Sequence, residues 1–414
     1  MNATAMGLEP TFEEIVAARG RIASGIDRTS CDESVLLSDL FGMRVWCKRE
    51  YLQATGSFKE RGARNALLLL ATEARERGVI AASAGNHALA LAYHGRDLGI
   101  PVTVVMPIVA PLVKQERCRQ FGARVVLAGM NIAEAKDEAE RIIAAEGQTY
   151  VHGFDGAEVI AGAGTIGLEL LDQVPNLDAV ILPIGGAGLL AGVGLAIKTM
   201  SRRVRIIGVE PTNAASFAAA MEAGTPVTIP MEPTLGDGLA VPGVGPRAFA
   251  LARTVVDEVV TVGEESLALA ILRLLEMEKG VVEGAGAAPL AALLEGKIAG
   301  LAGKNVALLL CGGNIDPAVL GRVIEHGLVA DGRLVQFRVL ISDRPGGLAR
   351  LTAAMAESGA SVKQIAHERA FTRSNFAQVE VVCTLETRDR AHAHEVLARL
   401  RAAGMPCDVV STEI

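Results

Sequence analysis

Along the first 326 residues, apolar positions alternate between short aliphatic runs bounded by turn residues and longer stretches in which they recur every three or four positions. The runs predict buried strands, and the longer stretches predict helices with one packed face. Residues 12–27 have the helical spacing, 45–47 begin a strand, and a helix starts at Lys59 behind the turn and N-cap types Thr55, Gly56 and Ser57. A regular alternation follows, with strands at 79–82, 102–106 and 125–127 and helices at 86–98, 112–121 and up to residue 146. A second series places helices at 165–173, 189–200 and 213–222 and strands at 179–182 and 204–209. Residues 224–246, rich in Gly and Pro, form a long loop or lid, and helices at 264–278, 286–295 and 317–326 with a strand at 306–310 complete the series. This alternation predicts an α/β fold with mostly parallel sheets.

Beyond a linker at 326–336 the pattern changes to strand 337–341, helix 347–358, a strand pair 362–371 and 376–385 around Thr372-Arg373-Ser374, helix 390–402 and strand 407–411. That βαββαβ order predicts a separate ferredoxin-like module over 335–414 with its helices on one face.

Composition sharpens the picture. Half of the 414 residues are hydrophobic but only 3% are aromatic, so the core is built from Ala, Val, Leu and Ile. The net charge of −7 is spread without a basic stripe, which excludes nucleic acid as the expected partner. No basic segment followed by an apolar run opens the chain, and no stretch of about eighteen uncharged apolar residues occurs, so no membrane association and a cytoplasmic location are expected. Six cysteines lie scattered without C-x-x-C spacing, predicting reduced thiols and no structural zinc.

The candidate chemistry sits at strand-to-helix junctions. Lys59 falls in the first turn of a helix, where the positive end of the dipole disfavours an ammonium and favours a neutral amine suited to Schiff-base formation; a surface lysine beside a glycine turn is the plainer alternative. Ser83-Ala84-Gly85-Asn86-His87 precedes a helix and turns backbone amides toward an anion such as a carboxylate. Gly185-Gly186-Ala187-Gly188-Leu189 has the same placement and suits a phosphate. A nicotinamide reading competes there, because Gly186, Gly188 and Gly192 open a helix, Glu210 ends the next strand, and Gly162-Ala163-Gly164-Thr165-Ile166-Gly167 also fits G-x-G-x-x-G. It leaves Lys59 and the 83–87 loop without a task. Cys311-Gly312-Gly313-Asn314 follows a buried strand, where α/β sheets place ligands.

These four elements together resemble the type II family of pyridoxal-phosphate enzymes, most closely its serine/threonine dehydratases (threonine deaminases). The matching stretches are Thr55-Gly56-Ser57-Phe58-Lys59-Glu60-Arg61-Gly62-Ala63, Ser83 to His87, Gly185 to Leu189 and Cys311 to Asn314, and the likeness covers roughly residues 12–326. It implies a catalytic domain over 1–330 made of two parallel-sheet lobes, the smaller spanning about 51–153. By that likeness Lys59 would carry pyridoxal 5'-phosphate, Phe58 would pack on its ring, Asn86 would bond the ring hydroxyl, and Gly185, Gly186, Ala187, Gly188 and Leu189 would hold the phosphate. Ser83, Ala84, Gly85, Asn86 and His87 would bind the substrate carboxylate, and Gly238, Glu283 and Cys311 would complete the cofactor's surroundings. Glu210, Ala214 and Ser216 resemble a monovalent or divalent cation site of some members.

Three positions depart from the family pattern. Ala187 replaces a glycine, harmlessly only if its φ is negative. Cys311 stands where many relatives have serine. Ala84 stands where related racemases carry a serine acting as second base, so racemisation is disfavoured. The resemblance implies conversion of L-threonine and/or L-serine to 2-oxobutanoate or pyruvate and ammonia. It assigns protonation of the leaving hydroxyl to the cofactor phosphate. Alternatives are a racemase, a dehydratase for another β-hydroxy amino acid such as 3-hydroxyaspartate, and a vestigial amino-acid sensor. The C-terminal module resembles an ACT domain, in which Asp343, Arg344, Pro345, Gly346 and Gly347 would help bind an effector such as isoleucine or valine, or serve assembly alone. A homodimer or tetramer is expected.

Overall fold

A computed structural model describes residues 10–368 and 377–410; the turn 372–374 and the strand ends expected at 369–371, 376 and 411 lie outside them. The chain divides into two compact units, Met1–Asp316 and Pro317–Ile414. Helix Pro317–Ala330 groups with the second unit, whereas its sequence position suggested the end of the first.

The first unit holds two sheets. The larger runs in the order Cys31–Glu33, Arg44–Arg49, Asn305–Leu310, Ala179–Pro183, Arg205–Pro211, Glu258–Val262, parallel except for its first pair. The smaller is wholly parallel, in the order Arg124–Leu127, Val102–Met106, Val79–Ala82, Thr149–Tyr150. Central strands are buried along their length, as sheets covered on both faces require: all five residues of Val102–Met106 and of Ala179–Pro183 are buried. Burying one Val or Leu contributes about 1.5–3 kcal/mol, so a core poor in aromatics depends on the number of such residues.

One helix brings the candidate elements together. Ala157–Gln173 starts eight residues earlier than its pattern predicts and contains Gly162, Gly164 and Gly167 in its buried middle. A Cβ on Gly162 would lie 2.5 Å from the Arg61 carbonyl, and one on Gly167 would lie 2.8 Å from the Val193 carbonyl. The G-x-G-x-x-G string is therefore a helix-packing surface. It seats helix Lys59–Leu68 and helix Gly188–Met200 against a common neighbour, and the dinucleotide reading of these glycines is corrected on that ground.

In the second unit, strands Leu334–Ser342, Ser361–Glu368, Gln378–Glu386 and Cys407–Val409 form an antiparallel sheet in which the second, third, first and fourth are neighbours in that order. Helices Gly347–Glu357 and Arg390–Ala402 contribute Leu351, Met355, Val396 and Leu400 to its core. Among the described residues no helix is long and apolar enough to cross a membrane.

Candidate active site

Two distant loops zip together in front of Lys59. The Phe58 N–H donates to the Cys311 carbonyl at 3.0 Å, the Gly313 N–H donates to the Gly56 carbonyl at 3.0 Å, and Ser57 bridges Gly312. Gly56 has φ +83°, which only glycine adopts without strain. Lys59 is the first residue of its helix. Glu60 and Arg61 then fix the helix on both sides. Glu60 accepts from the Thr55 N–H and contacts His94 Nε2 at 3.1 Å, while Arg61 grips Glu50 and Glu169.

The Lys59 Nζ donates to the Gly153 carbonyl at 2.6 Å and lies 5.1 Å from the Phe58 ring centre. Its pKa is drawn down to about 8, chiefly by burial, with Cys311 and Glu283 opposing. Burial is the leading cause, where the sequence pointed to the helix dipole.

Asn86 opens helix Asn86–Leu98. Its Nδ2 donates to Glu283 Oε1 at 2.7 Å, and its Oδ1 accepts from Asn314 Nδ2 at 2.9 Å. Glu283 precedes helix Gly284–Leu294 and donates its N–H to the Gly312 carbonyl at 3.0 Å. Burial pushes its carboxyl up to about 7, Asp237 adding to the effect and Asn86 opposing it. Burial likewise holds the Cys311 thiol far above its ordinary value, so that group is neutral. Gly238, in the short turn Asp237–Leu239, borders the cluster: a Cβ there would lie 3.8 Å from Glu283 Oε1.

The Gly185–Leu189 loop joins strand Ala179–Pro183 to helix Gly188–Met200 and points free amides from the helix start. Phe154, from the segment carrying Gly153, packs on it. A Cβ on Gly186 would come within 2.2 Å of the Phe154 ring, and one on Gly188 within 2.1 Å of its carbonyl. Ala187 has φ +69°, so the harmless case is not the one realised: the residue is left-handed, at a cost of about 1–2 kcal/mol relative to glycine.

In the 83–87 loop, Ser83 Oγ accepts from the Gly85 N–H at 3.3 Å, and a Cβ on Gly85 would meet nothing within 4 Å, so the amide turn faces open space. Ala84 is part-exposed beside it. His87 points elsewhere: its ring is buried, with Nε2 against the Val151 carbonyl at 3.0 Å and Nδ1 unpartnered. Burial, with the Lys59 charge adding to it, lowers its pKa to about 3, so it is neutral.

Glu210, Ala214 and Ser216 gather at the start of helix Ser216–Ala223. The Glu210 carboxylate accepts from the Phe217 N–H at 2.7 Å and the Ala218 N–H at 2.9 Å, the work of a helix cap, and burial pushes its pKa up to about 7. Among the described residues no three His, Cys, Asp or Glu side chains are placed to hold a metal. In the second unit, Asp343 to Gly347 join strand Leu334–Ser342 to helix Gly347–Glu357, and Arg344 and Gly347 line a cavity of about 390 Å³ with Ser342, Arg350 and Gln378.

The structure adds groups that no motif marks, and gives Asn314, the last residue of a motif, partners that the motif does not predict. Gly153 acts through a carbonyl, which any residue carries. Phe154 packs on the 185–189 loop, and Arg117 and Asn314 act through partners up to 259 positions away.

A part-buried amine of lowered pKa, an anion-binding amide turn on open space, a second amide turn at a helix start and an oriented Asn86 together suit an aldehyde cofactor bearing a ring and a phosphate. Residues 22–312 match the family described as pyridoxal-phosphate dependent enzyme, and the chain belongs to that family. It is similar to the L-threonine ammonia-lyase of Thermotoga maritima, with 42% identity over 400 residues covering 97% of this chain and 99% of that protein. The L-threonine ammonia-lyase of Geobacter sulfurreducens is 44% identical over 396 residues, covering 96% and 98% respectively. Among solved structures, the processed threonine deaminase isoform 2 of Solanum lycopersicum matches with a TM-score of 0.72 and 34% identity, over 76% of this chain and 92% of that one.

Proposed function

We propose that the chain is a pyridoxal-phosphate-dependent threonine/serine ammonia-lyase whose second unit is a regulatory, ferredoxin-like ACT domain. The observation carrying the first part is the Lys59 amine, drawn down to a pKa of about 8 and bonded to the Gly153 carbonyl, whose neighbour Phe154 packs on the 185–189 loop. Similarity to two L-threonine ammonia-lyases over nearly the whole chain supports the substrate class.

When bound, the cofactor supplies the electron sink for the bond broken at the substrate α-carbon. The amides of 185–189 would hold its phosphate, Phe58 and Asn86 its ring, and the amides of 83–87 the substrate carboxylate. Lys59 is the group that takes the α-proton, because burial keeps a useful share of it as free amine near neutral pH. The Gly153 carbonyl aims that nitrogen. The neutral Cys311 thiol adds no negative charge to the site, and this moderates electron withdrawal. Ala84 offers no second base, so a proton removed on one face is not returned on the other, and elimination outruns racemisation. The near-complete cluster also argues against a vestigial sensor.

Absorbance of the purified protein and 2-oxo-acid assays on L-threonine, L-serine and their D-isomers test this. Visible cofactor absorbance with oxo acid and ammonia from an L-isomer is expected; a racemised amino acid without oxo acid would refute the lyase assignment. The strand order of the second unit supports the ACT reading, and the Arg344 cavity is where isoleucine or valine would bind. Arg344→Glu should abolish any response to these amino acids while turnover persists. A homodimer or tetramer in the cytoplasm is the expected setting.

A further inference from the structure

We infer that Asn314 is a positioning residue that sets which way the Asn86 amide faces, and through it how the cofactor ring is held. This rests on the cofactor assignment above and extends it to a residue outside the reacting groups.

Asn314 is bonded on both ends of its amide. Its Nδ2 donates to the Thr55 carbonyl at 2.7 Å and to Asn86 Oδ1 at 2.9 Å, and its Oδ1 accepts from Arg117 Nη1 at 3.1 Å. Arg117 is only a donor and a backbone carbonyl only an acceptor, so the orientation of Asn314 is fixed from outside. Asn86 then has one satisfactory orientation. Its Oδ1 meets the Asn314 NH2, and its Nδ2 meets Glu283 Oε1 at 2.7 Å. Turning the Asn86 amide over would set NH2 against NH2 and oxygen against carboxylate. The result is a directional chain from Arg117 through Asn314 and Asn86 to Glu283 that leaves the second Asn86 N–H with a defined heading.

The lysine turn is shaped around the same side chain. A Cβ on Gly56 would lie 2.8 Å from Asn314 Oδ1, so the turn before Lys59 stays bare where Asn314 rests. Arg117 rides on helix Leu112–Gln120, whose Lys114 also reaches Asp237 at 3.4 Å. The start of the chain of bonds thus lies on the smaller-sheet side of the cleft and its end on the larger.

The test compares wild type with Asn86→Ala, Asn314→Asp, Arg117→Met and the double variant Asn86→Ala/Asn314→Asp. Asn314→Asp keeps shape and gains an ion pair with Arg117, so folding is retained, but it loses both donors. Two quantities are read: the dissociation constant of pyridoxal phosphate from the refilled apoprotein, and the pH at which the bound cofactor's visible absorbance titrates. Asn314→Asp should weaken cofactor binding by roughly tenfold, the scale of one lost hydrogen bond, and should move the absorbance midpoint in the same direction as Asn86→Ala. Arg117→Met should move it in the same direction by less. The double variant should lose less than the two single variants together, since part of the Asn314 effect passes through Asn86 and the remainder is the lost bond to the Thr55 carbonyl. A variant with wild-type midpoint and affinity, whatever its melting temperature, would overturn the assignment, as would effects that add independently to those of Asn86→Ala. Wild-type protein that takes up no cofactor would instead overturn the underlying cofactor assignment together with this one.

Discussion

Replacing Arg61 by Met removes one cation from a buried set of four charges. Arg61 is 1% exposed, Lys48 and Glu50 are 0% exposed, and Glu169 is 6% exposed. The guanidinium makes paired contacts of 2.8 Å to Glu50 and of 2.7 and 2.9 Å to Glu169, and donates to Thr165 Oγ1 at 3.1 Å. Lys48 meets Glu169 at 2.5 Å but stands 3.9 Å from Glu50, so in the variant Glu50 loses its main partner. Leaving a buried carboxylate uncompensated costs about 3–5 kcal/mol. In the wild type burial works to raise the Glu50 carboxyl, but Arg61, joined by Lys48 and Thr29, outweighs it and holds the carboxyl below its usual value. Without Arg61, burial would dominate and raise it. Folded variant would then bind a proton that the unfolded chain has released, so its stability deficit shrinks as pH falls toward the unfolded carboxyl value. Trp46, the single tryptophan, lies in the neighbouring strand and reports unfolding of the first unit in urea. The expected deficit is about 3–5 kcal/mol at pH 8 and smaller by at least about 1 kcal/mol at pH 5.5. A deficit under about 1 kcal/mol, or one independent of pH, would refute the reasoning.

Other expectations follow from single contacts. Gly186→Ala drives a methyl into the Phe154 ring and should weaken cofactor binding by about 10- to 100-fold, the scale of 1–3 kcal/mol of overpacking; adding Phe154→Ala should recover most of it. Gly188→Ala meets the Phe154 carbonyl instead, so the same second substitution should not rescue it. Ala187→Gly relieves a left-handed alanine and should raise the urea midpoint by the equivalent of about 1 kcal/mol. Glu283 titrates near 7 when folded and near 4.5 when unfolded, so this group alone should withdraw as much as about 3 kcal/mol from the apoprotein as pH rises between those values, opposed by His87 and His152, whose buried neutral rings gain as pH rises toward 6.5. In urea melts at pH 5 and 7.5, Glu283→Gln should gain stability relative to wild type at the higher pH, the other groups cancelling in the difference; a difference independent of pH would show that Glu283 is ionised throughout.

Much of the site is written locally. The lysine turn, the 83–87 loop and the 185–189 loop each combine turn residues with a helix start, and their backbone geometry follows from short-range preference. What escaped the sequence acts over distance. Arg61 meets Glu169 across 108 positions, and Lys59 meets a carbonyl at Gly153 that has no side-chain signature. The pattern of helix Ala157–Gln173 is legible only from 165, because Gly162 and Gly164 lower helix propensity, yet these glycines admit the neighbouring backbones and the packing outweighs their cost. Strand Cys31–Glu33 carries too few apolar residues to be seen before its partner is known, whereas helix Pro246–Val255, with Ala248, Phe249, Ala252 and Val255 on its buried face, and strand Glu258–Val262, with three valines, carry the pattern directly behind the Gly- and Pro-rich stretch 224–246. His87 shares a motif with the anion-binding amides, but its side chain turns to the Val151 carbonyl.

The most direct test is to reduce the purified, cofactor-loaded protein with borohydride and map the modified peptide by mass spectrometry. A single phosphopyridoxyl group on Lys59, absent in Lys59→Ala along with turnover, is the predicted result. The group on a different lysine, or full turnover in Lys59→Ala, would contradict it.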